Sequence, residues 1–542
     1  MKRPRLIAGI AVAALIAAAL WLGARPAAES LTRPVVPKDA SAATRGAAAF
    51  EGAGFGGVSL DALSSNAVPW RIAAAALVLD ERARDPSAPL DATTLDRVLR
   101  RFGFLDSAVV VNRAGVRAHD VGMPLGFTTG DVAPVGGSVI RVANLGCAAC
   151  HAGVTYGAEG QPLPDRVMLG MPNTSVDLEA YTAAIFQALR RFAASDELLP
   201  AVDAIFPKLD WRERASLSAL VLPLARQRLD TLAGVDRPMP FPNGGPGSTN
   251  GVPALKVALG VALLGGGQGE AGVVSIPDLG DRVWRTSLLA DGAYAVPGKP
   301  RQSPVTADMI DDAHLRSLAA ITTFFTVPSM GVHPDKAIAN LDDAADVMAF
   351  LKAYRPQGFP GPIDRVRTTA GSRIYQAECA TCHGSYDDAS SRLVQFPNWR
   401  GDVGTDPLRA SAFDRGLADA VTRTAYRDII ASAPGAGYVA PPLTGIWASA
   451  PYLHNGSVPT LAAMLSPETR PQRFMVGGHA LDLVRVGLRL DMDGAYPRDY
   501  RPFSQPAWTD TSTPGHNKEG HVFGETLSPA DKLALIEFLK LL

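Results

Sequence analysis

Apolar positions fall into distinct runs along the chain. The first is unbroken, from Leu6 to Leu22, 17 residues without a charge behind Lys2, Arg3 and Arg5. A basic head before such a run reads as an export segment, between the usual lengths of a signal-peptide core and a spanning helix. Ala24-Arg25-Pro26-Ala27-Ala28 offers no clean small-x-small cleavage site, so over residues 1–24 a cleaved signal and a retained membrane anchor both stay open. The Pro/Ala/Ser-rich stretch 25–48 reads as a tether. Two later runs, 345–352 and 530–540, carry apolar residues at helical spacing, and each predicts a helix that closes a domain. Between them lies a Pro/Gly-punctuated linker, 355–362, which puts a boundary near 355–365. Strand-like alternation is sparse, and 52 Gly with 43 Pro predict long loops around the helices.

Composition narrows this picture little. At 542 residues and 47% hydrophobic the chain can bury a sizeable core. A balance of 52 Lys and Arg against 53 Asp and Glu, with no long basic run, leaves no electrostatic footprint for nucleic acid. The four cysteines change the picture. They occur only as Cys147-Ala148-Ala149-Cys150-His151 and Cys379-Ala380-Thr381-Cys382-His383. Two cysteines three positions apart can form thioethers to the two vinyl groups of one porphyrin, and the adjoining histidine then falls under the iron. A zinc site would need further ligands at close spacing, and a redox dithiol gains nothing from a histidine after each pair. Two covalent c-type haems follow, with His151 and His383 as proximal iron ligands. These histidines stand 232 positions apart, which excludes a compact tandem of small cytochromes and places a large insertion in the first domain, between Ala152 and Asp343. The expected architecture is mainly α: two cytochrome-c-like haem domains, 49–360 with the insertion and 365–542, behind the signal or anchor. Such a protein is periplasmic or secreted.

The segment 440–461, Ala-Pro-Pro-Leu-Thr-Gly-Ile-Trp-Ala-Ser-Ala-Pro-Tyr-Leu-His-Asn-Gly-Ser-Val-Pro-Thr-Leu, resembles a signature of the bacterial di-haem cytochrome c peroxidase superfamily. Val403-Gly404-Thr405-Asp406-Pro407, Met475-Val476-Gly477 and Gly520-His521-Val522-Phe523-Gly524 are similar to its rubber-oxygenase-like branch, as are Leu125-Gly126-Phe127, Gly170–Ser175 and Asp281-Arg282-Val283-Trp284 in the first half. The resemblance implies one haem that exchanges electrons and one with an open or displaceable sixth position. For the second haem His521 is the preferred distal ligand, with His454 next and Met475 and Met464 behind. His454 reads equally as a hydrogen-bonding histidine near the haem propionates. No histidine or methionine stands out above the first haem, although Met168, Met171 and Met330 are allowed for. Phe324-Phe325 either line a pocket or pack in the core, and Trp284 either packs or relays electrons. His516, His479, His314, His333 and His119 read as solvated or packed. Several family members hold calcium between the haems, and Thr405-Asp406-Pro407 with Asn455 offer oxygen donors for it, or an ordinary Asp-Pro turn.

Three functions stay open. The leading one is a peroxidase-like oxidoreductase, fed by a small redox protein or other electron donor and reacting with a small oxidant. It needs an acid/base group, for which Glu159, Glu179 and Asp177 are the nearest acidic residues. The second is an oxygenase cleaving an apolar alkene such as polyisoprene, and the third a non-catalytic electron carrier.

Overall fold

In a computed structural model the described residues are 28–31, 36–37, 39–52, 67–106, 109–113 and 123–542, apart from 136, 236–238, 268, 330 and 436. The export segment expected over 1–24, and His119 and Met330, lie outside them. Among the described residues no helix is long and apolar enough to cross a membrane.

The stretch expected as a tether is partly built into the fold. Strands β1 (Ala28–Leu31), β2 (Val68–Pro69), β3 (Phe127–Ala133) and β4 (Ile140–Leu145) form an antiparallel sheet in the order β1-β3-β4-β2. Helix α1 (Ala42–Glu51) follows, capped where the Ser41 hydroxyl accepts the Thr44 N–H at 3.2 Å. Its alanines, read as linker composition, are also the best helix formers, and tertiary contacts decide between the two readings. Helix α2 (Trp70–Arg84) buries every residue from Ile72 to Leu79, as an all-round apolar helix must, under the helices Leu178–Phe192 and Leu198–Ile205. The β3–β4 hairpin then delivers the short helix α3 (Cys147–His151), which runs into the hairpin β5 (Ala152–Tyr156) and β6 (Pro162–Leu169). Helices α4 (Leu178–Phe192), α5 (Gly251–Ala258) and α6 (Asp312–Ser329) precede α7 (Leu341–Ala353), which returns to pack on α1.

That return is close. A Cβ on Gly46 of α1 would lie 1.9 Å from the Asp346 carbonyl oxygen of α7, so only glycine permits the crossing. Beside it the Arg45 guanidinium grips both Asp346 carboxylate oxygens at 2.7 Å. The second half repeats the device. Helix α8 (Arg365–Glu378), capped by Asp364, leads through Cys379 into α9 (Ala380–His383), and α10 (Pro529–Leu539) closes over α8 at Gly371, whose Cβ would lie 2.0 Å from the Ala534 carbonyl oxygen. In the second half the attachment motif follows the first helix at once. In the first half about as much chain stands between α1 and α3 as in a small domain, so the extra residues flank the motif on both sides rather than only after Ala152.

The described residues form eight sheets of two to four strands, most strands being only two residues long, too short to show alternation. Some of them stitch the halves together: Tyr294–Ala295 pairs with Ala431–Ser432, and Val305–Thr306 with Gln395–Phe396. One apolar core runs through both halves.

Candidate functional site

Each attachment motif is held from behind in the same way. His151 donates its Nδ1–H to the Pro277 carbonyl at 3.1 Å, and His383 donates to the Pro441 carbonyl at 2.8 Å. A carbonyl only accepts, so Nδ1 carries the proton in both rings and Nε2 is left as the free lone pair. Burial lowers the His151 pKa to about 4, against the raising effect of the Pro277 bond, and it lowers that of His383 as well. Both rings are neutral donors at neutral pH. Burial likewise pushes the Cys147, Cys150 and Cys379 thiols up to about 12 and raises Cys382. The first motif is pinned by Asn173, whose N–H donates to the Cys150 carbonyl at 2.8 Å and whose side-chain amide donates to Ala149 at 3.1 Å.

The two prolines open related segments, a repetition that sequence reasoning missed. Pro277-Asp278-Leu279 and Pro441-Pro442-Leu443 each lead to a left-handed residue, Asp281 (φ 56°) or Gly445 (φ 75°), and then to a short 3₁₀ turn holding a buried tryptophan, Trp284 or Trp447. The two segments touch: the Thr444 hydroxyl donates to Asp281 at 2.6 Å. The available signal was the repeated Pro-x-Leu followed by Trp.

Opposite His383 stands His521. The ring centres are 6.1 Å apart. An ion about 2 Å from one nitrogen of each ring puts the centres roughly 6 Å apart, so the pair fits a single metal between them. His521 has left-handed backbone (φ 48°), held where its N–H donates to the Val403 carbonyl at 2.7 Å and where Arg470 caps the carbonyls of Lys518, Gly520 and His521. Two separate family-like motifs thus meet at one residue. His454 instead stacks on Tyr438, with ring centres 3.9 Å apart and planes at 19°. Its Nε2 has no partner, and burial, then Arg409, lowers its pKa to about 3. Met464 lines the same cavity, whereas Met475 sits in the strand Arg473–Val476 away from it. Among the described residues no imidazole faces His151 as His521 faces His383.

Both motifs open into one cavity of about 1440 Å³, lined by Cys147, Cys150, His151, Cys379, Cys382 and His383 among others. A single-ligand pocket is roughly 300–1,000 Å³, so the space suits two macrocycles or one with a large partner. On the side of α4 and α6 the wall is apolar, with Leu178, Ile185, Phe186, Leu318 and Phe325. The Phe324-Phe325 pair is split: Phe325 faces the cavity, while Phe324 packs in the core on Tyr294 and Tyr426. Met168, Met171 and Trp284 are buried away from the wall, and Met239 and Met348, which the sequence did not single out, lie on it. Among the described residues the only carboxylates on the wall are Asp278 and Glu378. Glu179 accepts from the Asn243 N–H, Asp177 caps α4, and Glu159 sits at a surface turn, all three off the wall.

The remaining candidates are engaged elsewhere. Asp406 accepts from the Asn517 N–H, and Asn455 donates to the Asn517 carbonyl, so these two of the expected calcium donors meet at one turn with backbone partners, while Thr405 Oγ1 is buried without a partner among the described residues. Among the described residues no three His, Cys, Asp or Glu side chains cluster to hold a metal ion. His479 bonds Tyr156, His314 bonds the Val283 carbonyl, His333 caps a helical turn, and His516 approaches Thr513.

Residues 437–475 match the family model described as RoxA-like, cytochrome c-like. The chain is also similar to two uncharacterized proteins of Sinorhizobium fredii (strain NBRC 101917 / NGR234): y4iM, 31% identical over 185 residues, 29% of this chain and 41% of that protein, and y4iJ, 29% identical over 252 residues, 34% of this chain and 40% of that protein. The chain therefore spans about two fifths of the length of these curated relatives. The matched segment relates the protein to RoxA-like haem cytochromes and implies haem c.

Proposed function

We propose that this relative of the RoxA-like cytochromes is an exported di-haem c-type oxidoreductase of the oxygenase kind. Cys147, Cys150 and His151 would hold one haem, and Cys379, Cys382 and His383 the other, which His521 would also help to hold. When bound, the haems supply the one-electron and oxygen chemistry that side chains lack. The chain's own residues do the rest. The Pro277 and Pro441 carbonyls fix each proximal ring in the tautomer that presents Nε2. His521, clamped by Arg470 and Val403, closes the second site to external ligands and reserves it for electron transfer. The apolar wall of Ile185, Phe186, Leu318 and Phe325 excludes water and receives an apolar substrate.

The observation that carries this reading is the asymmetry of the two sites, one histidine faced by a second and the other not. The apolar wall favours the oxygenase over the peroxidase: Glu159, Glu179 and Asp177 lie off it, Asp278 follows Pro277, on the side that holds His151, and Glu378 adjoins Cys379 of the other motif. The test is ligand binding. The reduced protein should take up one carbon monoxide per chain and should consume O2 with an added alkene. Zero uptake would make it an electron carrier. Catalytic oxidation of a reduced cytochrome by hydrogen peroxide, without alkene oxidation, would restore the peroxidase reading.

A further inference from the structure

Among the described residues four arginines border the cavity: Arg228, Arg282, Arg285 and Arg409. Arg282 opens the 3₁₀ turn of the first Pro-x-Leu segment and Arg285, the extended residue that ends it, follows three positions on, and both line the cavity. The corresponding turn of the second segment lines the cavity with Ile446 and Ser449 instead. Arg285 is 4% exposed, its Nη2 donates to the Leu289 carbonyl at 2.8 Å, and its Nε has no partner. Arg282 donates from Nε to the Asp278 carbonyl at 2.9 Å. Among the described residues neither forms an ion pair. Buried Arg409 nearby does, with Asp291 at 2.9 Å, which occupies the carboxylate nearest to Arg285. The carboxylate nearest to Arg282 is Asp278, which burial pushes up to about 7 and which is held by the Gly280 N–H and the Tyr354 hydroxyl. Asp281 is engaged by Thr444 and faces Arg355.

A guanidinium buried at Arg285, repelled by Arg282 and with no ion pair to either among the described residues, is costly, so the cavity is built for an anion. We propose that Arg282 and Arg285 form a carboxylate cradle between the two attachment motifs and that its ligands are haem propionates. The inference rests on the haem reading above. Thioethers fix the vinyl edge of each macrocycle at its cysteines, so the propionates, the group's only charged substituents, must end elsewhere in the same cavity, and this turn starts five residues after the carbonyl that holds His151. Arginine's planar fork suits a carboxylate.

The test uses the holoprotein, with haem counted first: a chain without covalent haem ends the underlying reading, and only a fully loaded chain tests this one. Arg285→Gln and Arg282→Gln remove positive charge beside the haem, favour the ferric form, and should lower the midpoint potential of at least one haem by about 59 mV, tenfold in the ferric-to-ferrous ratio. Arg285→Lys should stay near the wild-type value. Loaded variants with both potentials unchanged would overturn the proposal. The wild-type holoprotein supplies a check that needs no variant, because guanidiniums engaged by propionates leave nothing for added phosphate. Phosphate binding at this cavity, read by calorimetry on the loaded protein, would also overturn it.

Discussion

His521 faces His383 because its N–H reaches Val403, over a hundred positions away in the chain. The sequence offered His521 as a histidine inside a motif, and only the folded chain places it across from another ring. His521→Ala should turn the second haem from low to high spin and create a second carbon monoxide site, with the first haem's spectrum unchanged; an unchanged spin state would move the ligand to His454 or Met464. His479 makes a different prediction. Buried against Tyr156 and lowered to about 4 by desolvation, it is neutral when folded, while the unfolded chain binds its proton near the ordinary value of 6.5. Its stabilising contribution is therefore whole above about pH 6.5 and fades as pH falls toward about 4, a loss of about 3 kcal/mol. Denaturant midpoints between about pH 7 and about pH 4 should fall more steeply for the wild type than for His479→Gln, and parallel slopes would refute the assignment.

Among the elements, the closing helices were the most legible. The apolar spacing at 345–352 and 530–540 predicted helices; the structure extends the first to Leu341–Ala353 and places the second at Pro529–Leu539. Their partners were harder to read, since α1 hides in an alanine-rich stretch and two-residue strands leave no periodic trace. The crossings rest on glycines. Gly371→Ala would drive a methyl group into the Ala534 carbonyl, and Gly46→Ala into that of Asp346, contacts with backbone that no side-chain rotation relieves. Each should destabilise its own half by about 3 kcal/mol or more. Gly358→Ala, with open space around it, should change the melting temperature little, and equal shifts in all three would show that the crossings do not matter.

At the scale of the whole molecule the halves are locked by charge as well as by strands. Lys256 of α5, fully buried, binds Glu270 at 2.7 Å and reaches Asp414 of the second half at 2.9 Å. Glu270→Ala leaves the ammonium under-compensated and should cost about 3 kcal/mol, while replacing both, Lys256→Met with Glu270→Leu, should cost less. Denaturation curves decide it, and a double variant weaker than the single would reject this account. Prolines and glycines near 355–365 suggested a boundary, but no local pattern announces a pairing such as Tyr294 with Ser432. The glycine crossings also carry a consequence for the order of events in folding. The α1–α7 crossing joins residues 301 positions apart, and the α8–α10 crossing joins residues 163 apart. Closing a loop of twice the length costs only about 0.6 kcal/mol more, so equilibrium stability hardly registers the insertions. Time does, because non-local closure is slow. On that ground a chain starting unfolded is expected to complete its C-terminal half first, which leaves the earlier Cys-x-x-Cys-His motif accessible for longer.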